Sequence, residues 1–262
     1  MEATEVKLCN AYCAETVLCL ALDVGEGMLK NGGEVSRVER TVERICRAYG
    51  AVHVEVFSII SMINASVHMP DGTHSAQMRR IRSTGTDMYR LELFNKISRD
   101  ICAEAPSPAE VDSRIREAKR KNAYPKFAAI PASAVAAAAF AVFFGGGVAE
   151  ALAALLIGAL LGVIDLLAAD RVNELAKTVV AAFVAGLFSS VAALLVSGAD
   201  SGIIMIGTIM LLVPGVAFGT ALRDLLCGDL IAGGLKTMQA CLAALMIAFG
   251  YLLSMAVMGG AV

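Results

Sequence analysis

The chain has 262 residues, is 57% hydrophobic with a positive mean hydropathy, and sets 22 basic against 24 acidic side chains for a net charge of −2. This near balance, with no basic stripe, excludes a nucleic-acid-binding role, and seven cysteines without paired spacing exclude a disulfide framework. Because 18 of the Lys and Arg and 17 of the Asp and Glu precede Phe127, the chain divides into a charged first part and an apolar second part.

The segment 8–22 is apolar, but Glu15 interrupts it, which argues for an amphipathic helix and against a signal peptide. Over 11–30, Val17, Ala21, Val24 and Met28 recur three and four apart, predicting a helix that Asn31, Gly32 and Gly33 end. Ser36 followed by Glu39 reads as a capping box opening a second helix, with Val38, Val42 and Ile45 as its buried stripe and Gly50 as its stop. From 52 to 67 β-branched and apolar residues lose helical spacing, which predicts two strands joined near 58–61. Pro70, Asp71 and Gly72 then turn the chain into a third strand over 73–81.

Arg79, Arg80 and Arg82 form the densest basic cluster and read as a solvated strand or a lipid-headgroup contact. Cys9 and Cys13 could share a helix face, while His53, His68 and His74 are scattered; no zinc set is completed, so neither metal nor cofactor is expected. Helices return over 87–103, burying Leu91, Phe94, Ile97 and Ile101. Ser107 next caps a helix with Pro108 first and Glu110 third, ending near Asn122. This last helix is highly charged, is set off by Pro125, and reads as a rigid stalk.

Five apolar runs follow, at 127–147, 148–169, 178–199, 201–222 and 237–262. Each is roughly the 20 residues that a helix needs to cross a hydrocarbon core of about 30 Å. Arg171 and Lys177 lie in the second gap and Arg223 and Lys236 in the fourth, whereas the first and third hold Glu150 and Asp200. With Lys119, Arg120, Lys121 and Lys126 before the first run, short basic loops on the cytoplasmic side predict N-in, C-out. The expected architecture is an α+β cytoplasmic domain at 1–125 followed by an all-α membrane domain of five transmembrane helices at 126–262.

Within the membrane part, Gly145, Gly146 and Gly147 suit a tight hairpin, and Gly158/Gly162 and Gly215/Gly219 form GxxxG pairs that let helices approach. Pro214 and Gly215 fall inside an otherwise apolar run. Proline removes a backbone hydrogen bond there, and freed backbone groups must face protein or a hydrated cavity, as in the broken helices that line transporter sites. Thr220, Arg223, Asp224 and Asp229 follow; they are a surface loop, or else a cluster that pairs, gates or exchanges protons. Asp165 is the one charge well inside a run, serving as a coupling group or a hydrated helix end. P-loop, GxSxG, HExxH and paired CxxC motifs are all absent. Uphill transport would then need an ion gradient or a separate motor.

The string LVPG at 212–215, followed by Arg223 and Asp224, Gly228 and Asp229, and Gly233, resembles the hallmark of the threonine/serine exporter family. GGEVSRVE at 32–39, Asn95, Arg99 and the AFAVFFGGG run ending at Gly147 also resemble that family. The resemblance implies an inner (plasma) membrane, multi-pass exporter of small hydrophilic metabolites with a cytoplasmic N-terminal domain. Full-length members carry a second membrane region, so the chain is similar to the larger half of a split exporter, in a homo- or hetero-oligomer with a second small membrane subunit. Split members are linked to dicarboxylates such as succinate and fused members to threonine and serine; Thr220 stands where the family often has Asn.

The expected function is therefore a subunit of a proton-driven secondary exporter, not an enzyme. Its transport and gating candidates are Asp165, Pro214, Gly215, Thr220, Arg223, Asp224 and Asp229. Cytoplasmic-domain candidates are Arg37, Glu39, Asn95 and Arg99. In one alternative these four serve a membrane-tethered, hydrolase-like enzyme, for which a single span would suffice. In another, the chain is a regulatory or assembly subunit and its companion carries the flux.

Overall fold

Residues 12–168, 173–196 and 198–259 are described by the computed structural model; Cys9, the predicted helix start at 11, Arg171 and the tail 260–262 lie outside the described residues. Two compact units emerge, and each combines segments distant in sequence.

The first unit comprises Met1–Ala123 and Val216–Thr237. Helices α1 (Ala14–Lys30) and α2 (Val35–Ala48) lead into an antiparallel sheet of β1 (His53–Ile59), β2 (Met62–His68) and β3 (His74–Arg80), ordered β1-β2-β3. Helices α3 (Met88–Glu104) and α4 (Pro108–Arg120) complete this stretch. Strand alternation turns Val54, Ile63, Ala65 and Val67 inward, while His53, Glu55, Phe57 and Met78 face outward. The inner face joins Leu18, Leu22, Val38, Ile45, Phe94 and Ile101 in one apolar core. Gly27 admits the Phe94 ring against the α1 backbone: a Cβ there would lie 2.2 Å from the ring edge.

Three expectations are corrected here. Helix α4 is no stalk, because Val111, Ile115 and Ala118 are buried in the core and only its outer face carries the charge. The capping box at Ser36 does not form: α2 begins at Val35, its N-cap Glu34 makes no side-chain cap bond, and the Glu39 carboxylate is used elsewhere. Arg79 belongs to no basic face, since it reaches Asp23 at 3.0 Å and the Cys19 thiol at 2.9 Å. The caps at Asp87 and Ser107 do form, accepting from Arg90 N and Glu110 N.

The second unit comprises Tyr124–Gly215 and Met238–Val262. It contains α5 (Ala129–Phe143), α6 (Val148–Ala168), α7 (Glu174–Leu195), α8 (Ser201–Ile209) and most of α10 (Leu230–Met258). Among the described residues α6, α7 and α10, of 21, 22 and 29 residues, are long and apolar enough to cross a membrane, and α5 is a shorter apolar helix.

Small residues let these helices approach. A Cβ on Gly158 would lie 2.6 Å from the Ser133 carbonyl oxygen, and one on Gly162 would lie 2.8 Å from Ile130 Cα, so this GxxxG pair seats α6 on α5. A second seam, not singled out in the sequence, pairs Ala182 and Gly186 of α7 with Gly250 and Ser254 of α10. Gly215 and Gly219 have nothing within 4 Å of a would-be Cβ, so their GxxxG spacing serves no packing among the described residues. Buried Glu150 ties two turns together, accepting from Gly147 N at 2.8 Å and from Asp200 N at 3.2 Å.

Candidate functional site

The fourth apolar run is interrupted more deeply than a kink. Thr208 bonds back to the Ile204 and Met205 carbonyls, a pattern that loosens a helix, and α8 ends at Ile209 after nine residues, about 13 Å of rise. Turns carry the chain to Pro214, whose preceding residue is pushed away from helical backbone. A new helix, α9 (Gly215–Leu226), then starts, and all but its first residue belongs to the first unit.

The exit from α9 organises the charged residues. Gly228 adopts φ +94°, the left-handed backbone favoured after a helix, and Asp229 N bonds to Asp224 O at 3.0 Å, closing a Schellman-type end. Asp229 immediately precedes α10, where the helix dipole favours a negative charge. Gly233 permits the return, since a Cβ there would lie 2.7 Å from Leu225. Ala232 packs into the core of the first unit.

This geometry buries an ion pair. Lys236 Nζ donates to Asp224 Oδ2 at 2.6 Å, with side chains only 14% and 1% exposed. Asp224 Oδ1 and Asp229 Oδ2 are both buried and have no hydrogen-bond partner among the described residues. An unpaired buried carboxylate oxygen is costly, so each is a ready acceptor for a hydrogen-bond or cationic donor. Around the pair, Arg223 meets Glu34 at 2.9 Å, while Glu39 accepts from Ser58 N at 2.6 Å and from the Ser58 hydroxyl at 3.3 Å. Four carboxylates face three cations, Arg40 beside Glu39 included, which leaves the cluster net acidic when fully ionised.

Burial raises the Glu39 carboxyl above its ordinary value and the nearby Asp229 adds to this, against the lowering effect of the Ser58 amide. Between the unfolded and the raised folded value, the folded state holds a proton that the unfolded state has lost, so stability falls as pH rises through that window. Glu39→Gln keeps an acceptor for Ser58 and removes the charge. The variant should be more stable than the parent near neutral pH, and the difference should close as pH falls toward about 4. Thermal unfolding across that range checks the sign.

The remaining candidates lie apart from this cluster. Arg99 pairs with Glu92 at 2.7 Å, and the Glu92 carboxyl is held below its usual range by Arg99, with contributions from Asn95 and Arg37. Three of the four cytoplasmic-domain candidates thus gather round Glu92 and only Glu39 reaches the acidic cluster. Asp165 pairs with Lys177 at 2.6 Å in the second unit. Thr220 bonds back to Ala217 O within α9. Lys236, Glu34 and Ser58 were not among the sequence candidates; the seven-residue spacing of Asp229 and Lys236, two helical turns, was the available signal.

Residues 19–258 match the family described as "Putative threonine/serine exporter" (ThrE). No curated protein and no solved structure gives a match. The matched span contains the broken fourth run, the Asp224–Lys236 pair and Glu39, and it covers most of a chain whose described residues include three helices of membrane-crossing length and composition. The chain belongs to the threonine/serine exporter family, a family of membrane transporters and not of enzymes.

Proposed function

We propose that this chain is a subunit of an inner-membrane secondary exporter of small hydrophilic metabolites, with the Asp224–Asp229–Lys236 cluster as its coupling and gating site. The observation that carries this reading is Asp224, which is 1% exposed with one oxygen on Lys236 and the other unpartnered. A carboxylate so placed exchanges partners when a proton or a substrate ammonium arrives, because either one relieves a buried unpaired charge. Proton antiport follows from the same chemistry. Pro214 and Gly215 supply the break that frees α9 from the preceding run, Thr220 lies within α9, and Arg223 and Glu39 border the cluster.

The distribution of Lys and Arg supports five crossings with N-in, C-out orientation. In that reading α5 and the interrupted fourth run complete their crossings in company with other helices, where irregular backbone is tolerated beside protein or water. A small companion membrane subunit completes the exporter, and the substrate is an amino acid of the threonine/serine type or a dicarboxylate such as succinate. The test is counterflow in proteoliposomes containing the chain alone and the chain with its companion. Asp224→Asn should abolish counterflow while the protein remains folded; wild-type flux in that variant removes Asp224 from the mechanism.

A further inference from the structure

Three histidines far apart in sequence stand in one row on the outer face of the sheet. Strand register sets His53 opposite His68 and His68 opposite His74. All three are exposed. Ring centroids are 5.9 Å apart for His53 and His68 and 5.8 Å apart for His68 and His74, the latter pair stacked at 23°. Side chains directly opposite on neighbouring strands have Cβ atoms about 4.5–5.5 Å apart, so the row follows from backbone pairing and not from a chance rotamer. The fold makes a histidine ladder that linear spacing hides.

We infer that this ladder binds a divalent late first-row transition-metal ion through His68 together with either His53 or His74. Neutral imidazole is a favoured ligand for zinc, copper and nickel, with metal–nitrogen bonds of about 2.0–2.1 Å. Two rings on adjacent strands can turn one nitrogen each toward a common ion at that reach. The outer two stand a whole strand apart, about 9–10 Å, and make a poorer pair than neighbours in the row, whose rings are already 5.8–5.9 Å apart. Consistently, no group of three His, Cys, Asp or Glu among the described residues could close around one ion. The site is therefore open, with two protein ligands and water completing the shell. Glu55 lies 3.3 Å from His53 Nε2 and can orient that ring, leaving its other nitrogen to ligate. An ion held here staples β2 to a neighbouring strand and exchanges readily with solvent. Because both pairs use His68, the ladder takes one ion at a time.

The experiment is calorimetric titration of Ni²⁺ into the full chain in detergent micelles. Wild type should bind one equivalent at the ladder. His68→Ala and His68→Gln should each weaken that binding at least about tenfold, since loss even of a group that merely supports a ligand costs about 10–100-fold. His53→Ala and His74→Ala should each retain binding through the remaining pair, and the double variant should behave like His68→Ala. These positions are exposed, so the fold is expected to persist, and unchanged circular dichroism keeps any loss assignable to the ligand. Undiminished binding in both His68 variants, as thiol ligation would give, overturns the site, as does an absence of binding by the wild type.

Discussion

Lys236→Ala should lower the stability of the first unit by about 3–5 kcal/mol, the range for removing one member of a buried ion pair. The size follows from Asp224: it is 1% exposed, its Oδ1 already lacks a partner, and Lys236 holds the other oxygen at 2.6 Å. Truncating the lysine leaves a whole carboxylate buried and unpaired. Asp224→Asn is milder in this respect, since the amide is neutral and its oxygen still accepts from Lys236. The paired substitution Asp224→Asn with Lys236→Gln should recover most of the stability lost in Lys236→Ala, while counterflow stays absent. Melting of each variant in detergent, alongside flux, separates the structural from the transport contribution. A Lys236→Ala protein that melts with the wild type would show that this pair is not buried in the folded chain.

The second large effect concerns glycines with the same sequence pattern and opposite surroundings. Gly158→Ala should destabilise the membrane helices by about 1–3 kcal/mol, the usual cost of overpacking. Its Cβ would sit 2.6 Å from a backbone oxygen of α5 and 3.1 Å from Ala134 Cα, neither of which can rotate away. Gly219→Ala should instead be stabilising by roughly 0.5–1 kcal/mol, because a Cβ there meets nothing and alanine restricts the unfolded chain and favours the helix. Comparing the two melting temperatures with wild type checks both signs together. Equal effects would mean that α6 does not sit on α5 through Gly158.

Local features were legible wherever short-range physics decides them. The three strands, the turns between them, the caps at Asp87 and Ser107 and the apolar stripes of α1, α2 and α3 follow from periodicity and side-chain chemistry within a few residues. The break at Pro214 was legible for the same reason, as proline acts on its immediate neighbours. The charged outer face of α4 was equally legible, but its buried Val111, Ile115 and Ala118 gained meaning only from the core they meet.

What the sequence determined by itself was an apolar part with runs of membrane-crossing length, a charged first part with amphipathic elements, and a motif set placing the chain in its family. Only the tertiary structure decided which side chains meet. Glu39 leaves its expected capping box because the Ser58 amide of β1 offers a buried partner 19 residues away. Asp224 and Lys236 become a pair because Gly228 reverses the chain and Gly233 lets α10 lie close to α9. His53, His68 and His74 become a row through strand register. Composition and spacing record the chemistry that each residue carries, whereas burial and long-range pairing arise when distant segments exclude water together, and these set its partners.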